Sequence, residues 1–483
     1  MSAHHAPHRT AVQESPDAEP RKPWTVLALA LVAQVLVVLD ISVVNTALPT
    51  IGSSLDLHSS DLQWMVTAYL LMSGGGLLLG GRIADLLPRR RIFMTGMLTF
   101  TTASLASGFA SGATELILAR GAQGVGAALM TPAALSLIMT TYQGTQRARG
   151  LALWGAIGGL GIAAGVTAGG ALTTWAGWQA IFWVNVPIGV VALVTAAHVL
   201  PREQATAGLA QFDVLGAGTA VSGLGVLMLA ISGAETHGWT SPRTVVELVA
   251  AAALLTGFVL VERRSARPLV HPHTWKIRPL VSGTVVMLGV TGVLVGAVFL
   301  GSIFFQTVLG YSALRAGLAF LPLAAALVVG THLAGHVGGH LAARTVAAIG
   351  LTAAAGGSLL LSQATSDASY AANLLPGLVV LGLGAGLVFV AVSASAMGGI
   401  PDEHAGMASG FIMTGHEVGA ALGVAVLSAV ATAAGTLTTA AGAVDATSRG
   451  FVGAAAMALA FAAFAAVRMP STRGGGGGHM HMH

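Results

Sequence analysis

The sequence predicts an all-α integral membrane protein of about fourteen helices. Three observations lead there. Of 483 residues, 54% are apolar and only 8% charged, against roughly 25% charged in a soluble domain. Apolar runs recur along the chain, most of them reaching the approximately 20 residues that span about 30 Å of hydrocarbon. The basic residues sort into alternate loops.

The runs lie at roughly 24–48, 60–81, 91–110, 114–139, 150–172, 178–200, 213–233, 243–261, 279–307, 313–336, 341–362, 371–394, 406–433 and 448–468, numbered here as spans 1 to 14. A first loop placed in the cytoplasm puts Arg9, Arg21, Lys22, Arg82, Arg89, Arg90, Arg91, Arg147, Arg149 and Arg202 inside. It also puts Arg263, Arg264, Arg267, Lys276, Arg278, Arg344, Arg468 and Arg473 inside. Only Arg243, Arg315 and Arg449 fall outside. That bias predicts fourteen spans in a cell inner (plasma) membrane with both termini cytoplasmic. It also accounts for the net charge of +4 without a nucleic-acid partner.

Polar stretches at 201–212 and 262–278 divide the chain. The expected plan is a cytoplasmic tail (1–23), a six-helix bundle (24–200), a linker with two further helices (201–278), a second six-helix bundle (279–468) and a cytoplasmic tail (469–483). Two six-helix halves suit a transporter that rocks about a midplane site. The tail's glycine run and His/Met end (474–483) are assigned no role. Glycine is abundant, at 65 residues, as close packing of membrane helices favours. There is no cysteine, which excludes disulfides and thiolate chemistry. No phosphate-binding loop occurs, so ATP does not drive the protein directly. Neither a cofactor nor a metal is expected. His332, His336 and His340 recur at four-residue spacing without an acidic neighbour and read as a degenerate repeat of the loop after span 2.

Several strings carry more specific information. Span 1 holds LDISVVNTALP (39–49), which puts Asp40 inside the membrane. A charge at that depth costs about 2.5–3.5 kcal/mol on insertion scales, so Asp40 is either a proton carrier or a hydrogen-bonded structural acid. The loop after span 2 reads GGRIADLLPRRR (80–91), with Gly81, Asp85 and Arg89. Span 4 contains RGAQGVGAA (120–128); Arg120 there must meet a counter-charge or a wet cavity, or else snorkel to the membrane surface. Span 5 contains GIAAGVTAGG (161–170), whose Gly161, Gly165 and Gly169 form a stripe continued by Gly170. Span 6 opens with WQAIFWVNVPIG (178–189), span 10 with YSALRAGLAFLP (311–322), and span 13 has GMASG (406–410) and VGAALG (418–423) around Thr414-Gly415-His416-Glu417.

In this order and spacing the strings resemble the fourteen-helix drug:proton antiporter branch of the major facilitator superfamily, over nearly the whole chain. The resemblance implies two six-helix bundles plus two extra helices, and a multidrug efflux transporter, not an enzyme, exchanging protons for lipophilic compounds. It implies that Asp85 and Arg89, with Gly81, form a latch closing the cytoplasmic side. It also implies that the span 5 glycines pack against the other half and limit leak, and that Arg120 tunes a nearby acid. The chain departs from the pattern at Pro88, where the family has glycine, at Val166, where it has proline, and at Thr414-Gly415-His416-Glu417, where it has a Thr-Ser-Arg-Gln stretch.

The resulting expectation is proton coupling through Asp40, Arg120, Glu417 and His416, with Asn45, Gln123 and Gln306 orienting a small lipophilic substrate. The protein would act as a monomer in the lipid bilayer. A proton-coupled importer or facilitator of a metabolite would share the fold. A non-transporting membrane sensor would not need Asp40, Arg120 and Glu417 in its core.

Overall fold

The computed structural model describes residues 23–57, 59–201, 213–265, 268, 274–338, 340–397, 400, 405–435 and 439–471. The terminal tails, the polar stretch 202–212 and most of 266–273 lie outside the described residues. So do some side chains within helices, Asn45 and Val166 among them.

The fold is helical throughout the elements described. The first bundle is α1 (Pro23–Leu55), α2 (Ser59–Leu86), α3 (Arg89–Gly108), α4 (Ala113–Thr141), α5 (Gly144–Ala176), α6 (Ala180–Trp183) and α7 (Asn185–Val199). Val184 keeps helical angles, φ −60° and ψ −29°, so α6 and α7 form one rod. Next come α8 (Val214–His237) and α9 (Pro242–Arg264). The second bundle is α10 (Arg278–Ile303), α11 (Ala313–Ala319), α12 (Leu321–Val337), α13 (Ala343–Leu361), α14 (Leu375–Met397), α15 (Ala405–Thr432) and α16 (Ala440–Arg468). Single π turns, Phe304–Val308 and Tyr370–Leu374, extend α10 and precede α14. The rod over span 10 opens at Phe320, where Pro322 brings no backbone N–H to the ladder.

Among the described residues, eleven helices are long and apolar enough to cross a membrane by length and composition. The expected fourteen spans all coincide with helical segments, but α3, α5 and α8 fall outside the eleven. α3 begins with three arginines and is rich in Thr and Ser. α8 contributes a shorter apolar stretch, Leu215–Ile231.

Small residues set the helix crossings. A Cβ on Gly124 of α4 would lie 2.5 Å from the Tyr69 carbonyl oxygen on α2, and one on Gly126 would lie 2.5 Å from the Phe100 amide nitrogen on α3. In the second bundle Gly423 of α15 faces Gly292 of α10 at backbone contact. Lipid is as apolar as leucine, so such close packing, not water exclusion, holds membrane helices together. The outer faces stay apolar. On α9, Val246 and Val249 are exposed, which suits a lipid neighbour.

The span 5 stripe does not meet the other half as expected. A Cβ on Gly161 would run into the Val38 side chain of α1, and one on Gly165 into Ser42 of α1. Those glycines seat α5 on α1 within the same bundle. Gly169 is buried, and Gly170 has nothing within 4 Å of a Cβ. α5 also packs against α11, α12 and α14 of the second bundle; Phe389 of α14 lies 3.3 Å from where a Cβ on Gly155 would be.

α8 does not stand clear of the bundles. A Cβ on Gly75 of α2 would lie 2.9 Å from the Val221 carbonyl oxygen of α8. Met228 of α8 flanks Gly74 at 3.5 Å from the corresponding point, with the Glu417 Cβ of α15 at 3.9 Å. α8 therefore packs along the seam where α2 meets α15.

Candidate functional site

Arg120 and Gln123 stand three residues apart on one face of α4, with Gly124 beside them admitting α2. Arg120 is 1% exposed and does not snorkel. Its Nη1 donates to Asp40 Oδ2 on α1 at 2.5 Å and to Gln123 Oε1 at 2.9 Å. Gln123 Nε2 donates to Asp40 Oδ1 at 2.9 Å and to Ser104 Oγ on α3 at 3.2 Å. Asn185, at the start of α7, donates from Nδ2 to Ser104 Oγ at 3.0 Å and more weakly to Asp40 Oδ1 at 3.4 Å. The Tyr69 ring of α2 lies under the guanidinium, 4.3 Å from centroid to Cζ, a cation–π contact. Helices α1, α2, α3, α4 and α7 thus converge on one buried ion pair. The Tyr69 hydroxyl and Arg120 Nε are buried there without hydrogen-bond partners among the described residues.

This arrangement changes the place of Gln123. Expected in a substrate cavity, it is fully buried in the Asp40–Arg120 network. Gln306, expected there too, is exposed within the Phe304–Val308 π turn, its Nε2 donating to Ser302 Oγ at 2.9 Å. The side chain of Asn45 lies outside the described residues.

A second site forms where the basic loop after α2 meets α15. Asp85 is buried and accepts from the backbone amides of Gly406 and Met407, each at 2.7 Å. These are first-turn amides of α15, which lack partners within their own helix, and a carboxylate there also meets the positive end of the helix dipole. Gly81, one turn earlier on α2, permits the approach: a Cβ there would strike the Gly406 carbonyl oxygen and lie 3.3 Å from the Gly410 Cα. Two α15 amides are thus bond partners of Asp85. Arg89 begins α3 and lies near enough to act on Asp85 electrostatically. Pro88 fits the loop without a positive φ. At φ −53° and ψ 119° it precedes α3, and its carbonyl accepts from Arg91 N at 2.8 Å.

His416 and Glu417 part company, as adjacent residues on a helix must. His416 Nδ1 pairs with Thr291 Oγ1 of α10 at 3.2 Å, and its ring lies 6.2 Å from that of Phe389. Glu417 is half-buried against Gly74 and Met228 instead. His416 lines a narrow cavity between the bundles, about 20 Å³ in volume, room for about one water. Gln34 of α1 and Trp154 of α5 line it from one bundle, and Met287, Phe389 and Ser393 from the other. Trp154 is 4% exposed, and its indole N–H has no partner among the described residues. An unmade hydrogen bond at a buried donor costs about 1–3 kcal/mol.

Sequence reasoning missed Ser104, Tyr69 and Asn185 in the network and Gln34 and Trp154 in the cavity. Polar residues inside apolar spans were the available signal for Gln34 and Asn185. Nothing in the sequence separates Trp154 from any other membrane tryptophan.

Comparison with known proteins decides the family: the Major Facilitator Superfamily domain matches residues 30–424. This chain belongs to the major facilitator superfamily. It is 38% identical over 433 residues to a puromycin resistance protein of Streptomyces alboniger, covering 89% of this chain and 85% of that one. It is 37% identical to a cephamycin export protein of Amycolatopsis lactamdurans, covering 91% of each. A multidrug resistance protein of Mycobacterium tuberculosis is 34% identical, over 82% of this chain and 73% of its own length. Among solved structures, a human organic anion transporter superposes with a TM-score of 0.65 at 15% identity, covering 92% of this chain and 99% of that one. A proton:xylose symporter gives the same score and identity over 94% and 97%. Those structures share the fold. The chain is a multi-pass membrane transporter, not an enzyme, and its relatives are antibiotic and multidrug resistance and export proteins.

Proposed function

We propose that this superfamily member exports small lipophilic compounds across the cell inner membrane in exchange for protons, by alternating access. It would act as a monomer with fourteen spans and both termini in the cytoplasm. The observation that carries the reading is the Asp40–Arg120 pair, buried in the first bundle and held by Gln123 and Asn185. A proton on Asp40 discharges that pair and leaves Arg120 seeking another partner, so proton binding favours a different helix arrangement. A ligand or proton shifts such a balance only by binding the two states unequally.

The arginines of the Asp85 loop give that end its basic character, which favours the cytoplasm. With Asp85 bonded to α15, the bundles are joined at that end, as an outward-facing or occluded carrier requires. The relatives' names, puromycin resistance and cephamycin export, support export over import. At about 100 mV and one pH unit, one proton supplies roughly 2.3 + 1.4 kcal/mol, enough for a ~500-fold gradient of a neutral compound.

The test uses inverted membrane vesicles with an acidified lumen, to which a panel of neutral and charged lipophilic drugs and dyes, puromycin among them, is added while lumenal pH is followed. Proton release on addition, lost in Asp40→Asn, is the expected result. Release that survives Asp40→Asn but not Glu417→Gln moves the coupling acid to α15. No release with any compound, from inserted and folded protein, overturns antiport.

A further inference from the structure

We infer that the compounds taken into the inter-bundle cavity are neutral, flat molecules carrying a hydrogen-bond acceptor, and that the Trp154 indole N–H is the donor that selects them. The inference rests on the export reading above and specifies its substrate class.

The cavity draws on both bundles, so it lies on the surface that must part and close in each cycle. Its lining contains no carboxylate. Asp40 is 2% exposed, and both its oxygens are engaged by Arg120, Gln123 and Asn185. Glu417 stands against α2 and α8 on another face of α15. A permanent cation entering this cavity would find no counter-charge, and an unpaired charge out of water is strongly disfavoured.

What the cavity offers is aromatic surface and an unused donor. Trp154 and Phe389 come from opposite bundles, and Gly155 lets Phe389 approach α5, 3.3 Å from where a Cβ would be. Two rings drawn from opposite sides suit a flat ring system between them. The indole N–H is buried without a partner among the described residues, so an acceptor that enters takes up its hydrogen bond without breaking one within the protein. The Nδ1 atom of His416 is already paired with Thr291; on the first-bundle side the cavity is faced by the Gln34 amide and by the Trp154 indole, whose N–H is the donor buried without a partner among the described residues.

The test is equilibrium binding of two dyes to the purified full-length protein, read by fluorescence anisotropy. Nile red is neutral and bears a ring carbonyl; ethidium is a permanent cation of similar size. The expected result is saturable Nile red binding with ethidium at least tenfold weaker, and a roughly tenfold loss of Nile red affinity in Trp154→Phe. That variant keeps an aromatic ring but loses the N–H together with the fused five-membered ring, so a modest fall in melting temperature from lost packing is expected beside the affinity change. Ethidium bound as tightly as Nile red, no saturable Nile red binding, or an unchanged affinity in Trp154→Phe overturns the inference. The wild-type dye preference decides the charge class even if the variant fails to fold. Ethidium-driven proton release in vesicles would remove the neutral-substrate class and leave antiport standing.

Discussion

Removing one partner of a buried ion pair leaves the other charge uncompensated, at about 3–5 kcal/mol, whereas removing both together is often nearly neutral. Arg120→Ala should therefore lower the melting temperature of the purified protein sharply, since Arg120 is 1% exposed and closes on Asp40. The double variant Asp40→Asn with Arg120→Gln should recover most of that stability and still fail to couple protons. A double variant no more stable than the single would mean that Gln123, Asn185 and Tyr69, not the ion pair, hold this region. The sequence made Asp40 and Arg120 visible because each is a charge in an apolar run. It did not reveal their pairing, which links residues 80 apart in sequence. Gln123 was legible as a polar membrane residue, but its direction depends on the rotation of α4, and a quarter turn separates a buried network from a cavity wall.

At the scale of an element, α15 is seated by the carboxylate of Asp85 and by two glycines that let the helices touch. Asp85→Ala removes two charge-assisted hydrogen bonds to first-turn amides, each worth about 1.5–3 kcal/mol. Gly81→Ala instead inserts a methyl group where the Gly406 carbonyl stands. Both changes should open the basic end. Ser409 of α15 is fully buried, so a cysteine placed there in this cysteine-free chain should react slowly with a maleimide. The rate should rise at least tenfold in either variant, and an unchanged rate would remove the latch. The loop motif announced this site because its acid and basic residues lie together in sequence. The span 5 stripe misled for the opposite reason. Glycines every fourth residue mark a close helix neighbour but do not name it, and here the neighbour is α1.

The whole molecule works only if the two bundles separate at the central seam, and the cavity marks where that motion can be stopped. The two-bundle plan was legible from the spacing of apolar runs and the resemblance of the motifs. The place of α8 was not, because a lipid-soluble helix of ordinary composition gives no sign of which seam it covers. Its contact with Gly75 and its Met228 beside Glu417 make it a wall of the α2–α15 seam. On the α5–α14 side, the Gly155 and Phe389 Cβ positions lie 3.3 Å apart, close to the 3.5–4.5 Å that a disulfide needs. With no native cysteine to compete, Gly155→Cys with Phe389→Cys should oxidise in the membrane and join the bundles at mid-depth. Transport should stop on oxidation and return on reduction, while each single cysteine variant ignores both treatments. A bond that forms without arresting transport would mean that the bundles do not part at this level and that substrate crosses by another seam, of which the one covered by α8 is the first to test.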